Sequence, residues 1–222
     1  YLSTDRPQPA VQTYEAQLEH AHDDPATLLL LAAALAEAGD LAAAEERVQQ
    51  VMRRWPDSRR AYDVLAYAYY VHGRYEMCLL AGGMPAAGEP DAGDINLRGL
   101  ALLKLGEEEL AAEQFRQARA LDPAHPQVNL NLGFLAARSA DYPTAAECFH
   151  TVLERQPDSK EARIGLAVAY RGAADFDAAL AQYDRVLGED PGHAMALLNK
   201  ALVLDLGGRY DEALTVLDEH SA

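Results

Sequence analysis

At 222 residues and a formal net charge of −16, the chain as a whole is repelled by nucleic-acid phosphates and by anionic lipid, so neither is expected as a partner. Half of the residues are apolar but only 7% are aromatic, and alanine and leucine dominate, which is the composition of an all-helical protein with a thin core. The longest largely apolar stretch, Ala26 to Ala36, falls short of the roughly 18 residues that a membrane-crossing helix needs, so no direct membrane insertion is expected.

Taken in order, residues 1–9 carry Ser3, Thr4, Pro7 and Pro9 without a helical period and read as a tether. In 10–24, Val11, Tyr14 and Leu18 share one helical face, which predicts a single capping helix. The tract His20-Ala21-His22-Asp23-Asp24 contains metal-ligand types, but its histidines stand two apart and do not face together, so neither a metal site nor a cofactor is expected. A first helix pair occupies 25–58 and turns at Gly39-Asp40.

The second pair, 59–91, starts regularly with Tyr62, Leu65, Ala66 and Tyr69 and then meets Gly82-Gly83-Met84-Pro85, which should cut its second helix short. Segment 82–91 reads either as a frayed helix end or as a hinge or docking notch between 1–80 and 92–222. Pairs at 92–125, 126–159 and 160–193 are regular, apart from Arg98 where leucine is expected before Gly99. The last pair, 194–222, has Lys200 at the matching position and a polar end, Asp218-Glu219-His220, as an exposed terminal unit requires. Cys78 and Cys148 fall two units apart, too far for a disulfide in a linear stack.

Several columns recur at a spacing of 34, 33, 34, 34 and 34 residues. A small residue stands at Ala32, Ala66, Gly99, Gly133, Ala167 and Ala201, and a second at Ala44, Cys78, Ala111, Ala145, Ala179 and Ala213. A proline closes five units, at Pro56, Pro90, Pro123, Pro157 and Pro191, and a bulky residue recurs as Val48, Phe115, Phe149, Tyr183 and Leu217. Small residues let two helices approach, large ones fill the groove beside them, and proline ends the second helix. This pattern resembles the tetratricopeptide repeat. The resemblance implies an all-α fold, a right-handed superhelix of about six helix hairpins with an extra N-terminal helix.

It also implies a concave surface lined by set positions of each first helix. Carried over, these positions include Leu29, Leu30 and Ala33, then Arg60, Asp63, Val64, Tyr67 and Tyr70, then Asn96, Leu97, Leu100, Leu103 and Lys104. The later repeats add Leu130, Asn131, Phe134 and Arg138, Ile164, Val168 and Arg171, and finally Met195, Leu198, Asn199, Leu202 and Asp205. Such a lining suits an extended or helical peptide of a partner, with asparagines bonding its backbone. The family's clamp for an acidic peptide terminus needs lysines that this sequence lacks.

No glycine-rich phosphate loop, nucleophile elbow or H-E-x-x-H stands in the sequence, and His72, His125, His150 and His193 read as scattered surface or helix-end residues, so no enzyme is expected. The expected function is a scaffold binding a peptide segment in the concave groove. A second reading is a self-associating accessory factor of a bacterial envelope machine for pili, secretion or gliding motility. Alanine-rich helices with more arginine than lysine suit a high-GC bacterial gene, and Leu166 to Ala179 resembles gliding-motility repeat proteins. The chain begins at Tyr1, so a removed signal or lipid anchor is expected to be compatible with it, which leaves the cytoplasm and the periplasm or envelope both open.

Overall fold

The computed structural model describes residues 7–20 and 23–218, and all thirteen elements among them are helices. They fall into two units, split after Leu121. The first holds α1 (Pro7–His20), α2 (Pro25–Glu37), α3 (Leu41–Arg54), α4 (Arg59–Val71), α5 (Tyr75–Gly82), α6 (Ala92–Lys104) and α7 (Glu108–Leu121). The second holds α8 (Pro126–Arg138), α9 (Tyr142–Arg155), α10 (Lys160–Gly172), α11 (Phe176–Glu189), α12 (Ala194–Leu206) and α13 (Tyr210–Asp218). Helix α1 begins at Pro7, within the stretch expected as a tether, whose residues 1–6 lie outside the described part. So do the side chain of His20, residues Ala21 and His22, and the polar end from Glu219 onward.

One device opens the first helix of every hairpin. A side chain just ahead of the helix accepts the amide of the third residue inside it, satisfying a donor that has no partner in the helix. In the first unit the acceptors are Asp24, Ser58 and Asp91; in the second they are His125, Ser159 and His193. The His125 ring accepts from Val128 N at 3.4 Å and the His193 ring from Ala196 N at 3.3 Å, both through Nδ1. The two histidines are therefore not scattered: they hold the same repeat position, and capping is the reason.

The hairpin turns share a left-handed residue, which lets the chain reverse within three positions. Glycine supplies it at Gly39, Gly73, Gly106 and Gly208, but Ala140 and Ala174 adopt φ of 59° and 60°. A β-carbon in that conformation crowds the following carbonyl, so these two turns are strained.

Within each unit the bulky column fills the space between small residues. A β-carbon placed on Gly99 would sit 2.5 Å from the ring of Phe115. Phe149 is held more tightly still, because β-carbons at Gly133 and at Gly165 would come within 2.9 and 2.5 Å of it. Tyr183 is fully buried among Ala167, Ala179, Ala196 and Val203, and its hydroxyl has no hydrogen-bond partner among the described residues. Burial pushes this phenol up to about 12.

The turn between hairpins carries a further tie that the repeat columns did not announce. Six residues after the closing proline, a side chain returns to bond its carbonyl: Tyr62 to Pro56 O at 3.2 Å, Asn129 to Pro123 O at 2.9 Å, and the Arg163 guanidinium to Pro157 O. Three chemically different donors perform one task, which no residue-type pattern would reveal.

The irregular segment has its own packing solution. Helix α5 ends at Gly82 after eight residues, as the paired glycines require. The aliphatic stem of Arg98 lies against Gly82, 3.3 Å from where a β-carbon would be. The two departures from the repeat thus complement each other, a long stem filling the place of an absent ring. Beyond the helix, Ala87 N donates to Asp57 O at 2.7 Å, forming a one-residue parallel bridge between Ser58 and Ala87. Lys200, the other departure, pairs with Asp184 at 2.7 Å.

Two expectations follow for stability. Ala174→Gly should raise the unfolding free energy by about 1 kcal/mol and Gly106→Ala should lower it by about as much, because each changes whether a β-carbon sits in a left-handed turn. Thermal melts of the two variants check this, and unchanged melts would contradict it. Tyr183→Phe should add about 1 kcal/mol by removing an unbonded buried hydroxyl, whereas a lower melting temperature would show that the hydroxyl is bonded.

Candidate functional site

The first unit contains a cavity of about 380 Å³ walled by α1, α2, α4 and the start of α6. Its floor is apolar: Ala10 and Tyr14 come from α1, and Leu29, Leu30 and Ala33 from α2. Leu29 is buried, whereas Leu30 remains 42% exposed, apolar area that a covering partner would remove from water. α4 turns Arg60, Asp63, Val64 and Tyr67 into the same space, one to two helical turns apart. The opposite wall is Asp91 and Asp94.

The polar groups here are unequally satisfied. Tyr67 donates its hydroxyl to Glu37 Oε1 at 2.7 Å, which fixes the ring against α2; burial, and then this bond to a carboxylate, raise its phenol above the usual range. Asp91 and Asp94 form a reciprocal capping box at the start of α6, Asp91 Oδ1 accepting from Asp94 N at 2.9 Å and Asp94 Oδ2 from Asp91 N at 3.0 Å. Their charge therefore faces the positive end of a helix. Asp63 has no such support. Burial first, then the neighbouring charges of Asp94 and Asp91, push its carboxyl up to about 7, against the opposing pull of Arg59 and Arg60.

The second unit offers a larger hollow of about 450 Å³ between α11, α12 and α13, but its charges answer one another. Arg209 donates to both oxygens of Glu212 at 2.7 and 2.6 Å, and Lys200 pairs with Asp184. Exposed ion pairs of this kind contribute little and leave little to offer a ligand. Size does not make it the better candidate.

The other positions expected to line a binding surface differ in exposure and in what they already contact. Asn96 is buried, and Tyr70 is half-buried with its ring 5.7 Å from that of Tyr75. Leu100 is half-buried and Lys104 exposed. In the second unit Asn199 is already engaged: its Oδ1 accepts from Arg171 at 3.0 Å and its Nδ2 donates to Met195 O at 2.8 Å. Asn131 and Val168 are half-buried and Arg138 exposed. Phe134, whose ring meets Phe149 edge-on at 4.9 Å, is exposed with Leu198 and Leu202. Sequence reasoning singled out Arg60 and Tyr67 but gave no role to Glu37, Asp91 or Asp94, because helix-end carboxylates look like caps until a cavity is seen beside them.

No group of three or more histidine, cysteine or acidic side chains among the described residues could hold a metal ion together. Nor is any described helix long and apolar enough to cross a membrane.

A pH dependence follows from Asp63. Its folded carboxyl ionises near 7 while the unfolded one ionises near the ordinary 3.8, so between those values the folded state holds a proton that the unfolded state has lost. The fold thus loses stability as pH rises from about 4 to about 7. Asp63→Asn should melt higher than the parent above pH 7, with the gain shrinking as pH falls and absent below pH 4; a constant gain would show that the charge is not the cause.

The same helix-hairpin architecture is found in YrrB, described as a tetratricopeptide-repeat protein with an unusual peptide-binding site, at 20% identity over 86% of this chain and 99% of that one, with a TM-score of 0.64. A tetratricopeptide-repeat protein from Parabacteroides merdae aligns at 21% identity over 94% of this chain and 78% of its own, with a TM-score of 0.68. In the complex of Cut9 with Hcn1 from the APC/C, the match has a TM-score of 0.72 at 20% identity and covers 97% of this chain, which spans only 43% of its length. No curated protein matches the sequence. At these identities the likeness speaks for the fold. The tetratricopeptide-repeat family itself matches residues 6–76, 96–139, 130–173 and 165–221, most of the chain, and the protein belongs to that family.

Proposed function

We propose that the protein is a non-enzymatic scaffold, and that the cavity walled by α1, α2, α4 and α6 receives a peptide segment of a partner protein. The observation that carries this reading is the cavity's lining, an apolar floor with the outward-facing Leu30 at its edge and polar groups on two walls. Recognition sites for peptides combine those features, apolar area supplying affinity and a few placed polar groups supplying register. The family's members are typically interaction scaffolds, and YrrB, of the same fold, is described as having a peptide-binding site.

The physical advantage lies in preorganisation. Tyr67 is fixed by Glu37 and the α6 terminus by its capping box, so these walls lose little freedom when a ligand arrives, and the ordering cost falls mainly on the peptide. In the second unit, Phe134, Leu198 and Leu202 are among the exposed apolar side chains of the first helices and are proposed as additional partner contacts.

The test is selection of nine-residue peptides from a random display library on the full chain, followed by titration of labelled winners against parent and Leu30→Asn proteins. Leu30 is 42% exposed and asparagine is close to it in size and adds no charge, so the variant should fold as the parent does while binding about tenfold more weakly. Winners that bind both proteins equally, or a library that yields none, would overturn the assignment of this cavity.

A further inference from the structure

The cavity's lining sets four carboxylates, Glu37, Asp63, Asp91 and Asp94, against one guanidinium, Arg60. They come from three helices, and the chain around them is itself strongly acidic. Asp91 and Asp94 already have helix amides and Glu37 has the Tyr67 hydroxyl, which leaves Asp63 as the carboxylate of the four that accepts no hydrogen bond among the described residues. It sits half-buried between the apolar floor on α2 and the acidic wall of α6.

Resting on the peptide-binding reading, we infer that the segment received here is basic, placing a lysine or arginine head at Asp63 with an apolar neighbour against Leu29, Leu30 and Ala33. Charge complementarity decides between occupants. An acidic or neutral segment would leave the unsupported carboxylate facing like charge or buried apolar atoms, whereas a cation relieves the repulsion from Asp91 and Asp94 and supplies the missing donor. A metal ion is a poorer occupant, because these carboxylates are not grouped closely enough to share one. The geometry is the reverse of a clamp for acidic peptide ends.

The inference has a proton signature. Burial of Asp63, with Asp94 and Asp91 on the α6 side and Arg59 and Arg60 opposing on α4, pushes its carboxyl up to about 7. A cationic side chain binds the ionised form, so complex formation expels a proton at neutral pH and weakens as pH falls through that value.

The experiment uses the peptides selected on the full chain. Winners sensitive to Leu30→Asn should be enriched in lysine or arginine next to an apolar residue. Their labelled versions should bind about tenfold more weakly at pH 5.5 than at pH 8 and about tenfold more weakly to Asp63→Asn at pH 8, with the pH dependence reduced in that variant. Replacing the basic residue of a winner by glutamine should cost about as much as Asp63→Asn, and combining both changes should cost little more. Winners that depend on Leu30 but show no basic enrichment, or that bind Asp63→Asn unchanged, would overturn the basic occupant while leaving the peptide-binding surface standing. Tighter binding of acidic winners at low pH would assign the cavity to the opposite charge and also overturn it.

Discussion

The ring of Phe149 lies against helix positions so close that they must be glycine: α8 presents Gly133 to it and α10 presents Gly165. This contact is the pivot of the second unit, because one aromatic side chain joins its own hairpin to the next and fixes how near their backbones come. Close packing leaves little room for compromise, since a single added methyl would have to displace the ring or the helix. The first unit repeats the arrangement with Phe115 on Gly99, and where the ring is absent, at Gly82, the stem of Arg98 takes its place. Fixed spacing between the first helices is what allows side chains on different hairpins to face one cavity.

The cavity of the first unit shows how stability and binding pull apart at one residue. Asp63 would be better tolerated as a neutral side chain, for burial and two neighbouring carboxylates disfavour its charge. Its neighbours are settled: Asp91 and Asp94 complete a helix cap and Glu37 holds Tyr67. A lone unsatisfied charge among satisfied ones is a local conflict in the fold, and such conflicts concentrate where a protein meets something else. The second unit's larger hollow has the opposite character, with its lysine and arginine matched to acids of the same unit.

The sequence by itself determined the family, the period and most of the packing. Small and bulky columns recur because each hairpin must solve the same close approach, and their repetition is visible without coordinates; likewise the glycines and proline after Leu80 end α5 whatever surrounds them. Among the expected partner-binding positions, Arg60 and Tyr67 do line the cavity, since helical periodicity alone turns them to one face. What only the tertiary structure decided were the relations between positions far apart in the chain. Glu37 reaching Tyr67, Asp94 facing Asp63, Arg171 consuming Asn199, and Arg98 filling the space beside Gly82 all depend on the distance between helices, which a residue pattern does not encode. The caps at His125 and His193 and the ties to Pro56, Pro123 and Pro157 escaped for a second reason: unlike side chains do the same work there, so geometry, and not residue type, carries the signal.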